Sequence, residues 1–248
     1  MNFSGISNAK PLGKILRAPL RFVPKDAEVP ILQGKLRGKR WIVGSSNHGC
    51  WLGSYEYEKR RRFEQTITPG SVVFDIGAHV GFYTLLAADL VGPAGRVVAF
   101  EPVSRNLTYL RRHLRQNGFS HVTVIDRAVC DRTGVARFEE GPGSCKLMGR
   151  LSPTGEFWVN TVSLDEKVSC GELPPPDFIK IDVEGAELLV LWGATTVLSR
   201  ARPKLFLSTH GAELHRECCE FLHALGYTTR RIGGKTDGVL EEVLAEPS

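Results

Sequence analysis

Short apolar runs alternate with amphipathic stretches along most of the chain. Val72–Phe74, Val97–Phe100, Val122–Ile125, Phe178–Ile181 and Lys204–Leu207 are the runs, nearly free of polar alternation. That is the pattern of strands buried on both faces. Tyr83–Val91, Asn106–Asn117, Leu188–Leu198 and Glu213–Leu225 lie between or after them. In these stretches apolar residues recur at helical spacing, as with Leu107, Leu110 and Leu114. Gly118 and Gly226 stand where two of these helices should end. The alternation predicts an α/β fold, a mainly parallel doubly wound sheet covered on both faces. Tyr227–Ile232 and Val239–Ala245, around Gly233-Gly234, predict a terminal antiparallel hairpin, and Val135–Glu139 with Phe157–Val162 an edge pair. Ahead of the sheet, Arg40–Val43 reads as a short strand and Ser45–Gly49 as a turn. A helix is expected from Trp51 through Phe63. The division expected is an amino-terminal arm and accessory segment over 1–65 and a main domain over 66–248.

Composition changes this picture little. The 248 residues are 42% hydrophobic, enough for one α/β domain with its own core. A net charge of +5 is mild for a dedicated nucleic-acid binder. The basic arm (Lys10, Lys14, Arg17, Arg21, Lys25) and the run Lys59–Arg62 read as solvated segments. Six cysteines without Cys-x-x-Cys spacing suggest reduced thiols, and no apolar stretch reaches membrane-spanning length. The expectation is a cytoplasmic protein without membrane insertion.

The chemistry concentrates in Asp75-Ile-Gly77-Ala78-His-Val-Gly81-Phe82, after the first apolar strand, and in Glu101-Pro102, after the second. Glycines at the end of a strand let a ligand approach bare backbone. An acidic residue ending the next strand accepts hydrogen bonds from ribose hydroxyls in doubly wound folds. A dinucleotide site would carry Gly-x-Gly-x-x-Gly facing a pyrophosphate. Here a carboxylate precedes the first glycine, which suits a cofactor bearing an ammonium and a sulfonium, S-adenosylmethionine. Asp126 and Ala128, after the third strand, are placed where the adenine would fall, and Gly141–Gly155 reads as a loop near the substrate.

Asp75-Ile-Gly-Ala-His-Val-Gly-Phe-Tyr-Thr, Phe100-Glu-Pro, Phe178-Ile-Lys-Ile-Asp-Val-Glu-Gly-Ala-Glu and Gly53-Ser-Tyr-Glu together resemble the FkbM-type methyltransferases over roughly residues 41–245. The resemblance implies a class I methyltransferase fold, S-adenosylmethionine as donor, and a hydroxyl acceptor on a sugar, glycan or secondary metabolite. The sequence departs from the family at the end of the fifth strand. Ser208-Thr209-His210 stands there in place of the usual glutamate.

Moving a methyl group to an alcohol requires alignment and a destination for the hydroxyl proton. His210, Asp182 and Glu184 are the catalytic candidates, at the ends of adjacent strands. His210 is the preferred base, with helix capping its alternative. Asp182, also a cofactor candidate, is expected to orient His210 or to take the proton itself. Glu187 reads as a carboxylate of a helix's first turn, and Lys180 as a structural ion-pair partner. A divalent metal at this cluster is possible but not expected. The competing classes are an RNA or protein methyltransferase, a non-catalytic binding module and a nicotinamide dehydrogenase. Asp182-Val-Glu184 in place of an Asn-Pro-Pro-Tyr motif argues against methylation of base amino groups.

Overall fold

Two short antiparallel strands open the described part of the chain, β1 (Glu28–Pro30) and β2 (Arg40–Ile42). The computed structural model describes residues 20, 22–140, 149–152, 154–233 and 240–248. The arm up to residue 19, Arg21, most of the Gly141–Gly155 loop, and Gly234 with Val239 lie outside these. Helices α1 (His48–Leu52) and α2 (Tyr57–Thr66) follow. The single helix expected through Trp51 and Phe63 is thus two, and part of the expected turn is helical. Asn47 caps α1 by accepting from the Gly49 N–H. Gly53 ends it with φ 74°, so close to Gln33 that a Cβ would lie 2.4 Å from its carbonyl oxygen.

The main body runs β3 (Val72–Ile76), α3 (Phe82–Val91), β4 (Arg96–Phe100), α4 (Ser104–Asn117), β5 (Val122–Ile125), β6 (Ala128–Val129), β7 (Gly134–Glu140), β8 (Gly149–Leu151) and β9 (Phe157–Val162). It continues with α5 (Leu164–Ser169), β10 (Phe178–Ile181), α6 (Glu187–Trp192), α7 (Thr195–Arg200), β11 (Lys204–His210), α8 (Ala212–Ala224), β12 (Tyr227–Arg231) and β13 (Leu240–Pro247). Seven strands form one sheet in the order β12-β13-β11-β10-β3-β4-β5, parallel except at β13. This is the expected doubly wound sheet with its terminal hairpin. Successive residues of each strand feed opposite cores. Val73, Val97, Phe178 and Phe206 face one, and Phe74, Val98, Ile179 and Leu205 the other. Each such side chain contributes about 1.5–3 kcal/mol by leaving water, which is why the strands read as unbroken apolar runs. Trp41, Phe63 and Ile67 join the first core, so the accessory segment shares its packing with α3.

Three elements differ from the sequence pattern. β7 and β9 do pair, but in a separate four-stranded sheet, β6-β9-β7-β8, rather than on an edge of the main one. The Leu188–Leu198 helix is broken into α6 and α7 at Gly193, where a Cβ would lie 2.0 Å from the Cys130 carbonyl oxygen. Asp165 stabilises the restart by accepting from the N–H groups of Thr196 and Val197, both at 2.8 Å. Finally β11 extends three residues past its apolar run. Buried Ser208 and Thr209 are tolerated because Lys59 donates to Ser208 Oγ (2.6 Å) and Thr209 donates to the Glu241 carbonyl (3.2 Å).

Candidate active site

From β3 the chain builds outward through β4 and β5 on one side, and later through β10 and β11 on the other. Such a reversal opens a crevice at the carboxyl ends of the strands. A cavity of about 440 Å³ lies there. Of the residues singled out in the sequence, Gly77, Ala78, Phe82, Glu101, Pro102, Ala128, Asp182 and Glu184 line it. Ser46, Asn47, Cys50 and Tyr55 of the accessory segment line it too.

Gly77 is required by close approach. With φ 75°, its missing Cβ would fall 1.9 Å from the Asp182 carbonyl oxygen. Gly81 lies behind the wall, where a Cβ would meet Leu110 at 2.5 Å. Two expected cofactor ligands have other surroundings. Asp75 is buried beneath the loop, not on the cavity wall; its carboxylate accepts from Thr84 Oγ1 at 2.6 Å and pairs with Lys180 at 3.1 Å. Strand register forces that pairing, because Lys180 sits directly opposite Asp75. Asp126 is exposed and faces Arg111 at 4.0 Å, so it too is off the wall.

Glu101 is 4% exposed, and burial raises its pKa. One oxygen accepts from the Val103 N–H (2.9 Å) and Asn106 Nδ2 (3.1 Å), the other from the His79 N–H (2.8 Å). A carboxylate has about four acceptor positions. Three are used, and one is left open. The loop is anchored from behind by His113, which accepts from the Ile42 N–H and whose other ring nitrogen meets the Val80 carbonyl at 2.8 Å. Burial takes that imidazole down to about 4 and keeps it neutral.

The opposite wall is ionic. Lys59, 2% exposed, reaches from α2 to Asp182 (3.0 Å), Glu242 (3.1 Å) and Glu56 (3.2 Å). Burial disfavours its charge, yet these carboxylates hold its pKa well above normal. Burial likewise works against the Asp182 carboxylate, and Lys59 and Lys180 overcome it, keeping Asp182 ionised well below the usual range. Such a carboxylate is a weak base. Lys59 is not among the site residues expected from the sequence, where its charge run reads as solvated.

His210 ends β11 and caps no helix: Gly211 is the cap residue of α8, without a side-chain bond. Its Nδ1 lies 2.9 Å from Glu187 Oε1. A carboxylate only accepts, so Nδ1 carries the proton and Nε2 is free to take one. Glu187, fully buried, also accepts from the N–H groups of Gly185 (3.0 Å) and Val183 (3.4 Å). The residue that orients His210 is therefore Glu187, where Asp182 was expected. Nε2 lies 3.3 Å from Glu184 and 4.0 Å from Asp182, which line the cavity, while His210 itself stands behind them. Burial lowers the imidazole pKa, but the Glu187 bond and the surrounding carboxylates prevail and raise it. One ligand atom from each of Asp182, Glu184 and His210 falls within 4.8 Å of the others, close enough to surround a cation.

A family model described as the Methyltransferase FkbM domain matches residues 75–229. Hexuronic acid methyltransferase AglP of Haloferax volcanii is 32% identical over 129 residues, 51% of this chain and 51% of that protein. The chain thus spans about half the length of that curated relative. A protein-L-isoaspartate O-methyltransferase of Aeropyrum pernix is 39% identical over 57 residues, 23% of this chain and 22% of that protein. Among solved structures, methyltransferase FkbM of Methylobacillus flagellatus superposes with a TM-score of 0.50 at 20% identity, covering 79% of this chain and 52% of that one. A putative rRNA-methylase of Clostridium thermocellum gives 0.54 at 13% identity, covering 77% and 95%. At these identities the structural likeness is one of fold. Among the described residues no helix is long and apolar enough to cross a membrane.

Proposed function

The chain belongs to the FkbM methyltransferase family, and from that premise we propose that it methylates a hydroxyl oxygen of a saccharide, with S-adenosylmethionine as donor and His210 as base. The bound donor supplies a methyl group on a sulfonium, open to in-line displacement. Glu101 offers its remaining acceptor position to the ribose, and the Gly77–Ala78 backbone gives the donor its close wall. Lys59 and Lys180 keep Asp182 charged, a fixed acceptor beside the reacting hydroxyl. His210 Nε2 takes the hydroxyl proton, and Glu187 and Glu184 stabilise the imidazolium formed. The observation that carries this reading is the Glu187–His210 contact, which leaves a basic nitrogen facing the wall where Asp182 and Glu184 meet. A saccharide acceptor is supported by the relative that acts on hexuronic acid. A cation among Asp182, Glu184 and His210 would compete for Asp182 with Lys59 and Lys180, both of which approach its Oδ2.

Calorimetry with S-adenosylhomocysteine, followed by methyl-transfer assays on glucuronosides, tests the proposal. S-adenosylhomocysteine binds, and a glucuronoside gains a methyl ether. His210→Ala lowers turnover by about 10²–10⁴, the usual worth of general-base assistance, while leaving S-adenosylhomocysteine affinity unchanged. Absence of S-adenosylhomocysteine binding sinks the donor assignment; full turnover in His210→Ala sinks the base.

A further inference from the structure

The charge run on α2 divides between two destinations. Lys59 and Arg60 turn inward and are buried, whereas Arg61 and Arg62 are exposed. Glu58, Arg61, Arg62 and Gln65, spaced by three, four and seven, occupy one face of the helix. That face is one wall of a second cavity, about 290 Å³, whose other wall is β12 at Arg230 and Arg231. Arg61, Arg62 and Arg230 therefore border one groove, Arg230 on the same face of the sheet as Leu244, whereas Arg231 projects from the opposite face beside Val243. Among the described residues only Arg231 has a carboxylate within 4.0 Å, namely Glu241. Glu246 feels Arg230 and Arg62 but is itself paired with Lys204 at 2.7 Å. Glu58 is the remaining acidic residue of the lining. Gathering like charges costs free energy unless an anion offsets it, and guanidinium forks match the oxygens of phosphate and carboxylate.

The groove opens on the catalytic end of the sheet. β11 and β12 both run antiparallel to β13, where Val243 stands opposite Leu207 on one side and Arg231 on the other. Arg231 is thus level with Leu207, three residues short of His210. Two interstrand steps and three residue rises put it about 14 Å from His210.

We propose that this groove binds an oxyanion, phosphate or carboxylate, carried by the methyl acceptor at a distance from its reacting hydroxyl. The link to the acceptor rests on the methyl-transfer reading above; the anion site itself rests on Arg61, Arg62 and Arg230. Inorganic pyrophosphate and trigalacturonate, titrated calorimetrically into the full chain with S-adenosylhomocysteine bound, test it. At least one of them binds at a single site. Its affinity falls about tenfold or more in Arg62→Glu/Arg230→Glu, with a smaller fall in the milder Arg61→Gln, and S-adenosylhomocysteine affinity is kept in both. Binding of pyrophosphate alone identifies a phosphorylated acceptor, and binding of trigalacturonate alone an acidic saccharide. Binding of neither, or binding that these substitutions leave unchanged, overturns the proposal. A wild-type chain that binds an anion at these arginines but not S-adenosylhomocysteine would overturn the methyl-transfer reading and leave the anion site standing.

Discussion

Around Gly77 and Glu101 the cavity wall is made by backbone groups and by residues close in sequence; the His79 N–H and the carboxylate it meets are 22 positions apart. Around Asp182 the wall is made by long side chains from distant elements. Lys59 and Asp182 are 123 positions apart, and Lys59 and Ser208 are 149 apart. The first half is a rigid cradle shaped by glycines. The second is a charge balance in which Lys59, Lys180, Asp182, Glu184, Glu187, Glu242 and His210 are partners of one another. Losing one member of the cradle removes one of the contacts proposed for the donor. Losing one member of the balance leaves buried charge behind.

The largest effect that follows is on stability. Lys59→Met should cost about 3–5 kcal/mol in denaturant unfolding, because Asp182 and Glu242 lose their buried counter-ion. Adding Asp182→Asn should restore part of that loss, since residues sharing one network do not add. An additive pair would show the network to be a set of independent contacts. Glu101→Ala should act on the other half alone, weakening S-adenosylhomocysteine binding by about 1.5–3 kcal/mol. Unchanged affinity would remove Glu101 from the donor site. The smallest effect concerns metal. EDTA should leave methyl transfer intact, because Asp182 already has its cations; a loss restored by magnesium or manganese would turn Asp182, Glu184 and His210 into ligands.

This contrast also explains what could be read in advance. The five parallel strands were legible because each carries an unbroken apolar run, although the edge strand β5 is only half-buried, and the cradle was legible because its glycines and Glu101 sit in one contiguous stretch. Sterics hidden from the sequence produced the errors of shape. Apolar periodicity runs unbroken through Gly193, and the close packing of the Cys130 carbonyl on that glycine, where α6 ends, leaves no mark in the sequence pattern. Asp75 looked like a ligand because it precedes the glycine loop, but its partner Lys180 is set by strand register. Lys59 was invisible for a different reason. In a run of four basic residues, nothing local tells which one turns inward toward carboxylates more than a hundred positions away. Glu187 could have been recognised as more than a first-turn carboxylate only by knowing that β11 extends to His210.

If Glu187 makes His210 the base, the pH dependence of turnover will show it. As the proposed base His210 would act when neutral, and its pKa is raised above 6.5 in spite of burial because the Glu187 bond and nearby carboxylates favour the imidazolium. Turnover should therefore rise with pH to a midpoint above 6.5. The stability contributed by the His210–Glu187 pair runs the other way, complete below about 6.5 and lost as pH rises through the folded value. Glu187→Gln keeps the shape and removes the charge, so the midpoint should move to lower pH and the plateau should fall. A midpoint that does not move, or a profile without any rise near neutrality, would rule out His210 as a base set by Glu187.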